Sequence, residues 1–206
     1  MLVHTLPVSP FMMNCYIVAC EKTKEAVIID AGDEPERIMQ VIENEGYQLK
    51  FLINTHGHVD HVSGVAAIRN KQQVPFLMHQ DEDSILRFLG QSQEMYGFGD
   101  GLIPAVDEYL DPKKEYSFGE LTIEVIPTPG HTPGGVCLWI GEEIFVGDTL
   151  FAGSIGRTDL PGGSTETLLN SIKTQLMTLD ENLVVHCGHG PDTTIGNEKR
   201  MNPFLV

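Results

Sequence analysis

Four side chains able to bind a metal fall within six consecutive positions, His56-Gly57-His58-Val59-Asp60-His61. They follow the apolar run Phe51-Leu52-Ile53, which reads as a strand. Residues two apart in an extended segment face the same way, so His56 and His58 can present two imidazoles to one cation. The chain must then turn into a helix beginning near Val62, and that turn is expected to swing Asp60 and His61 to the other side, toward a second cation. Three further ligand types stand singly after apolar runs: His131 in Thr128-Pro129-Gly130-His131-Thr132-Pro133-Gly134, Asp148 in Gly147-Asp148-Thr149, and His189 in Gly188-His189-Gly190. Flanking Gly and Pro permit tight backbone approach. A carboxylate at Asp148 has two oxygens and could bridge two cations. Five of the eight histidines occupy these positions. Polar groups packed so densely are costly to bury without a cation between them.

The elements that must position these residues are mostly short strands, punctuated by Gly, Pro and Asp. The pattern predicts strands at Leu2–Thr5, Cys15–Ala19, Ala26–Ile29, Phe51–Asn54, Phe76–Met78, Leu121–Ile126, Val136–Trp139, Ile144–Val146 and Leu183–His186. Three helices are expected. Pro35–Glu45 stops at Gly46 and carries Ile38, Val41 and Ile42 on one face; Val62–Lys71 follows the histidine cluster; Thr165–Met177 has Ser164 as its N-cap. Many strands with helices between them suggest two sheets flanked by helices, a layered α/β sandwich. Residues Ser84–Pro104 mix Phe88, Leu89, Met95, Tyr96 and Phe98 with Gly97, Gly99 and Gly101. They read either as a helix and loop packed on the body or as a flap over a pocket.

The chain of 206 residues suits a single domain spanning residues 1–206. Its formal charge of −16, with 13 basic against 29 acidic residues, argues against nucleic-acid and anionic-membrane partners. No apolar run is long enough to span a bilayer. The N-terminal Met1-Leu2-Val3-His4-Thr5 lacks the features of a secretory signal, so a cytoplasmic protein is expected, monomer or homodimer. Cys15, Cys20, Cys137 and Cys187 form no Cys-x-x-Cys pair and are read as free, buried thiols.

Taken in order, Asn14-Cys15-Tyr16-Ile17-Val18, Asp30-Ala31-Gly32, the His-x-His-x-Asp-His motif at 56–61, Gly130-His131-Thr132-Pro133-Gly134, Gly147-Asp148-Thr149-Leu150-Phe151 and Gly188-His189-Gly190 resemble the metallo-β-lactamase superfamily. Within it the chain is similar to the glyoxalase II-like hydrolases. The resemblance implies a four-layer αββα sandwich of two mixed β-sheets flanked by helices. It assigns His56, His58 and His131 to one metal, Asp60, His61 and His189 to a second, and Asp148 to both. Zinc is the first expectation, with iron or manganese also suited to hard oxygen ligands. His58 stands where flavin-linked di-iron relatives carry Glu, which argues against that redox branch. His4, His79 and His186 match no family ligand.

The expected reaction is cleavage of a small-molecule thioester such as S-lactoylglutathione. Water bridging two cations has its pKa lowered toward ~7, and the resulting hydroxide would attack the carbonyl, with Asp60 and Asp148 contributing through that hydroxide. A thiolate leaves readily, so no strong general acid is required. Arg157 lies on the loop after Asp148, at the offset where glyoxalase II carries a basic residue that contacts the thiol substrate; a surface pairing with Asp159 is the other reading. Seventeen residues follow His189, so the resemblance is to shorter, one-domain relatives without the helical glutathione-binding domain. Competing readings are an iron-dependent persulfide dioxygenase and a lactone or ester hydrolase of the same fold.

Overall fold

The computed structural model describes residues 1–97 and 101–206. Chain contacts group it into two compact units, residues 1–110 with 117–121, and residues 111–116 with 122–206.

The first unit is built on a six-stranded mixed sheet in the order β1-β2-β3-β4-β5-β6. Its strands are β1 Leu2–Val8, β2 Met13–Ala19, β3 Glu25–Ile29, β4 Gln48–Ile53, β5 Phe76–Met78 and β6 Glu108–Tyr109. The first three pair antiparallel and the rest parallel. Every residue of β2 is buried, as are Ala26–Ile29 of β3, so Cys15–Ala19 and Ala26–Ile29 read as apolar runs rather than alternating ones. Helix α1, Pro35–Glu45, is the crossover between parallel β3 and β4, and it buries Ile38, Met39 and Ile42. Ile17, Ile28, Ile38, Leu52 and Ile68 are all fully buried in one cluster, and burying each such side chain contributes roughly 1.5–3 kcal/mol.

The helix expected at Val62–Lys71 is divided. Residues Val59–Val62 form α2, a single turn that itself contains Asp60 and His61, and α3 follows at Val65–Lys71. Between them the amide of Gly64 donates to the Ala31 carbonyl at 2.9 Å, drawing the chain against the Asp30-Ala31-Gly32 corner. The segment 84–104 holds α4 (Asp83–Leu86, preceded by a 3-10 turn at Gln80–Glu82) and α5 (Leu89–Tyr96). Helix α5 packs on α2, where Gln93 Nε2 donates to Ser63 Oγ at 3.2 Å. The flap reading also involves Phe98 and Gly99, which lie outside the described residues.

The second sheet is also six-stranded and mixed, in the order β14-β13-β10-β9-β8-β7. Its strands are β7 Tyr116–Phe118, β8 Leu121–Pro127, β9 Val136–Ile140, β10 Glu143–Gly147, β13 Val184–Cys187 and β14 Thr193–Thr194, with a separate hairpin of β11 Leu150–Phe151 and β12 Ser154–Ile155. The β10–β13 pair is parallel, and their crossover contains α6, Thr165–Ser171, capped by the Ser164 hydroxyl accepting from the Thr167 amide. The expected helix through Met177 continues as a π-helical turn at Ile172–Leu176. Leu168, Ile172 and Leu176 pack with Cys137, Ile144, Val146, Val185 and Cys187. Helix α7, Ile195–Met201, follows the last histidine. The two-residue strands β6, β11, β12 and β14 are too short to show alternation and were not foreseen, nor was β7.

Candidate metal centre

In the first unit, the strand β4 delivers Asn54-Thr55-His56-Gly57-His58 directly before α2. Asp30, at the end of β3 with φ 56°, is buried to 1% exposure and organises this turn. Its Oδ1 accepts from the Thr55 amide at 2.7 Å. Its Oδ2 accepts from the Thr55 hydroxyl at 2.7 Å and from His61 Nδ1 at 2.9 Å. Because a carboxylate only accepts, His61 carries its proton on Nδ1 and its lone pair on Nε2. The same logic extends to His56. The Thr55 hydroxyl donates its proton to Asp30, so at 3.0 Å it accepts from His56 Nδ1, and the lone pair of His56 also falls on Nε2. Asn54 Nδ2 donates to the His61 carbonyl at 2.8 Å, and the fully buried Glu82 accepts from the Gly57 amide at 2.6 Å.

These bonds fold the motif tightly. The rings of His56 and His58 have centroids 4.9 Å apart, and those of His56 and His61 4.0 Å apart. The turn into α2 sets the ring of His61 beside that of His56. His61 Nε2 lies 3.8 Å from Asp60 Oδ2. Asp30 was legible only as strand punctuation and as part of a family motif; its role as the acceptor that fixes two histidine tautomers was missed. A lone Asp closing the apolar run Ala26–Ile29, directly before Ala31-Gly32, is the sequence signal that could have found it.

In the second unit, His131 stands in the loop after β8, 4% exposed, and its Nδ1 donates to the Arg157 carbonyl at 2.7 Å. Its Nε2 lies 3.6 Å from Asp148 Oδ2, and His189 Nε2 lies 3.7 Å from the same oxygen. Two glycines make this approach possible. A Cβ on Gly188 would collide with Asp148 Oδ1, and one on Gly156 would collide with the Asp148 carbonyl and sit 3.2 Å from His131 Nδ1. Phe151 lies edge-on to His189, with centroids 6.2 Å apart.

The donor sets suit divalent cations. Separations of 3.6–3.8 Å are too long for hydrogen bonds. They approach the roughly 3.4 Å expected between two tetrahedral ligands of zinc. Imidazole Nε2 atoms whose Nδ1–H groups are held by a carboxylate, a hydroxyl or a carbonyl are the usual form of a metal-binding histidine.

The Arg157 guanidinium is 61% exposed and forms a two-point pair with Asp159, at 2.7 and 2.8 Å, which holds the Asp159 carboxyl down at about 2. What Arg157 contributes to the centre is its backbone carbonyl, which no sequence signal indicated. His186 is buried between Glu143 (2.6 Å) and Asp192 (3.0 Å) and stacks on Phe145. Burial pushes its pKa down, but the carboxylates of Asp192 and Glu143 outweigh this and raise it. His4 meets the Tyr47 hydroxyl, and His79 accepts from the Asp81 amide, so neither joins the cluster. Among the described residues no cysteine is in a disulfide, and all four are buried, as expected. Among the described residues no helix is long and apolar enough to cross a membrane.

Comparison with known proteins supports the same reading. The family model for the metallo-beta-lactamase superfamily matches residues 8–189. Hydroxyacylglutathione hydrolase GloC of Haemophilus influenzae is 38% identical over 211 residues, covering 98% of this chain and 97% of that protein. The crystal structure of the BLEG-1 B3 metallo-beta-lactamase has a TM-score of 0.92 at 36% identity and covers all of both chains. That of TTHA1623 in a di-iron-bound form has a TM-score of 0.90 at 34% identity, covering 98% of this chain and all of that one. The two mixed sheets with their helices are the fold of these relatives, as the sequence led one to expect. The chain belongs to the metallo-β-lactamase superfamily of metal-binding hydrolases.

Proposed function

We propose that this chain hydrolyses a small-molecule thioester of the S-lactoylglutathione type at a centre of two divalent cations, acting as a single domain in the cytoplasm. In this reading His56, His58 and His131 hold one cation, Asp60, His61 and His189 hold the other, and Asp148 serves both. The observation that carries it is the position of Asp148 Oδ2, 3.6 Å from His131 Nε2 and 3.7 Å from His189 Nε2, between two histidines assigned to different cations. The likeness to GloC over nearly the whole of both chains supports the thioester class. Zinc suits the histidine-rich set, and iron or manganese suits the carboxylates; a di-iron form of a relative agrees with the latter.

Bound cations would acidify water and polarise the substrate carbonyl. The chain's own part is to fix the donors. Asp30 keeps the His61 proton on Nδ1, and the Thr55 hydroxyl does the same for His56. The Arg157 carbonyl keeps the His131 proton on Nδ1. Asp60 and Asp148 supply negative charge that offsets that of the cations. No side chain is needed to protonate the departing thiolate. Arg157 serves as a substrate contact: an anionic thiol carrier would compete with Asp159 for its guanidinium.

The deciding assay offers S-lactoylglutathione, a lactone panel and glutathione persulfide to the metal-loaded protein, following thiol release, acid release and oxygen consumption together. Thiol release without oxygen uptake is expected. Oxygen uptake with the persulfide and no thioester cleavage would replace this reading with the dioxygenase one.

A further inference from the structure

The loops carrying His131 and Asp148 are joined at their roots by a buried bond between two hydroxyls. Thr128 is the first residue past β8, and its amide donates to the Gly135 carbonyl at 2.8 Å, closing the loop that carries His131. Thr149 directly follows Asp148, and its amide donates to the Val146 carbonyl at 3.0 Å. The two Oγ1 atoms are 3.0 Å apart, with Thr128 wholly buried and Thr149 3% exposed. On its other side Thr128 Oγ1 lies 3.3 Å from Cys137 Sγ. Burial pushes that thiol up to about 12, so it keeps its proton, and its sulfur lies 3.9 Å from the Val146 carbonyl. Thr149 also anchors the second tether on His131. Its carbonyl accepts from the Gly156 amide at 3.4 Å, next to Arg157, whose own carbonyl holds His131 Nδ1.

Packing alone does not call for hydroxyls here. Valine fills the same volume, and a buried hydroxyl is costly unless bonded. What two threonines add is one directional bond that fixes the spacing of two loops. Metal sites demand such control, since ligand distances must hold within about 0.2 Å.

We propose that Thr128 and Thr149 are positioning residues whose hydroxyl pair sets His131 Nε2 and Asp148 Oδ2 at the separation that ligands of a shared cation require. This rests on the metal-centre reading above. The test compares zinc affinity, by competition with a chromophoric chelator, across Thr128→Val, Thr149→Val, the double valine variant and the two serine variants. The melting temperature of each metal-free protein and its kcat and KM on S-lactoylglutathione are measured alongside. The valine variants are expected to bind zinc roughly 10- to 100-fold more weakly, with kcat reduced and KM held. The double variant is expected to be no weaker than the weaker single one, because the same bond is lost in each. Serine, which keeps the hydroxyl, restores wild-type affinity. Folded valine variants with wild-type zinc affinity overturn the proposal, whatever their melting temperature, and so does a loss that serine does not restore. Should Thr149→Val fail to fold, Thr128→Val reads the same bond from its other end. A wild-type chain that takes up no zinc removes the metal centre and this proposal together, whereas a zinc-binding wild type with unaffected valine variants removes this proposal alone.

Discussion

Asp30 Oδ2 and His61 Nδ1 are bonded at 2.9 Å with both side chains almost wholly buried, and the same carboxylate also takes the amide and hydroxyl of Thr55. One carboxylate thus fixes the tautomers of His61 directly and of His56 through Thr55. Replacing it strands several buried donors at once. We expect Asp30→Ala to lower zinc affinity by roughly 10- to 100-fold and to lower the urea midpoint. Asp30→Asn keeps one acceptor oxygen and is expected to lose less. Chelator competition beside urea titration checks this. Undiminished zinc affinity in Asp30→Ala would remove the orienting role.

His58→Ala and Asp148→Ala are expected to abolish both metal loading and thioester cleavage, because each removes an assigned donor. Elemental analysis and an activity assay on the same preparation read this. Full activity in metal-free Asp148→Ala would end the mechanism proposed.

Arg157 enters the centre through its carbonyl and faces solvent through its guanidinium. Arg157→Ala leaves the carbonyl in place, so metal content should not change. For an anionic thioester KM should rise with kcat held, the pattern of a lost binding contact. Unaltered KM would confine Arg157 to its pairing with Asp159.

His186 has a raised pKa through Asp192 and Glu143, against the opposing effect of burial. A raised folded pKa means the charged form is favoured by folding. The stability this gives is fully present below the unfolded value, near 6.5, and is lost as pH climbs through the raised folded value. The difference in urea midpoint between wild type and His186→Gln should therefore be largest in mild acid and shrink above neutrality. A difference that grows with rising pH would contradict it.

Much of the fold was legible in the sequence. The candidate donors stood out there because histidines and aspartates at glycine-rich strand ends have few packing reasons to be there. The long strands and helices α1 and α6 announced themselves by apolar run and cap. What stayed hidden depends on contacts distant in sequence. Asp30 meets Thr55 and His61 across two strands, the Arg157 carbonyl serves His131 with a backbone atom that has no identity in sequence, and Glu82 takes the Gly57 amide from a separate turn. The division of the expected Val62–Lys71 helix was hidden for the same reason, since Gly64 is drawn to the Ala31 carbonyl.

The most direct test of the central claim is metal stoichiometry. The wild-type chain, saturated with zinc and freed of loosely held metal by gel filtration, would be compared by elemental analysis with Asp148→Ala. Two ions per wild-type chain and none retained by the variant are predicted. A wild-type chain with no retained zinc, iron or manganese, or a variant that still keeps two ions, would contradict the account.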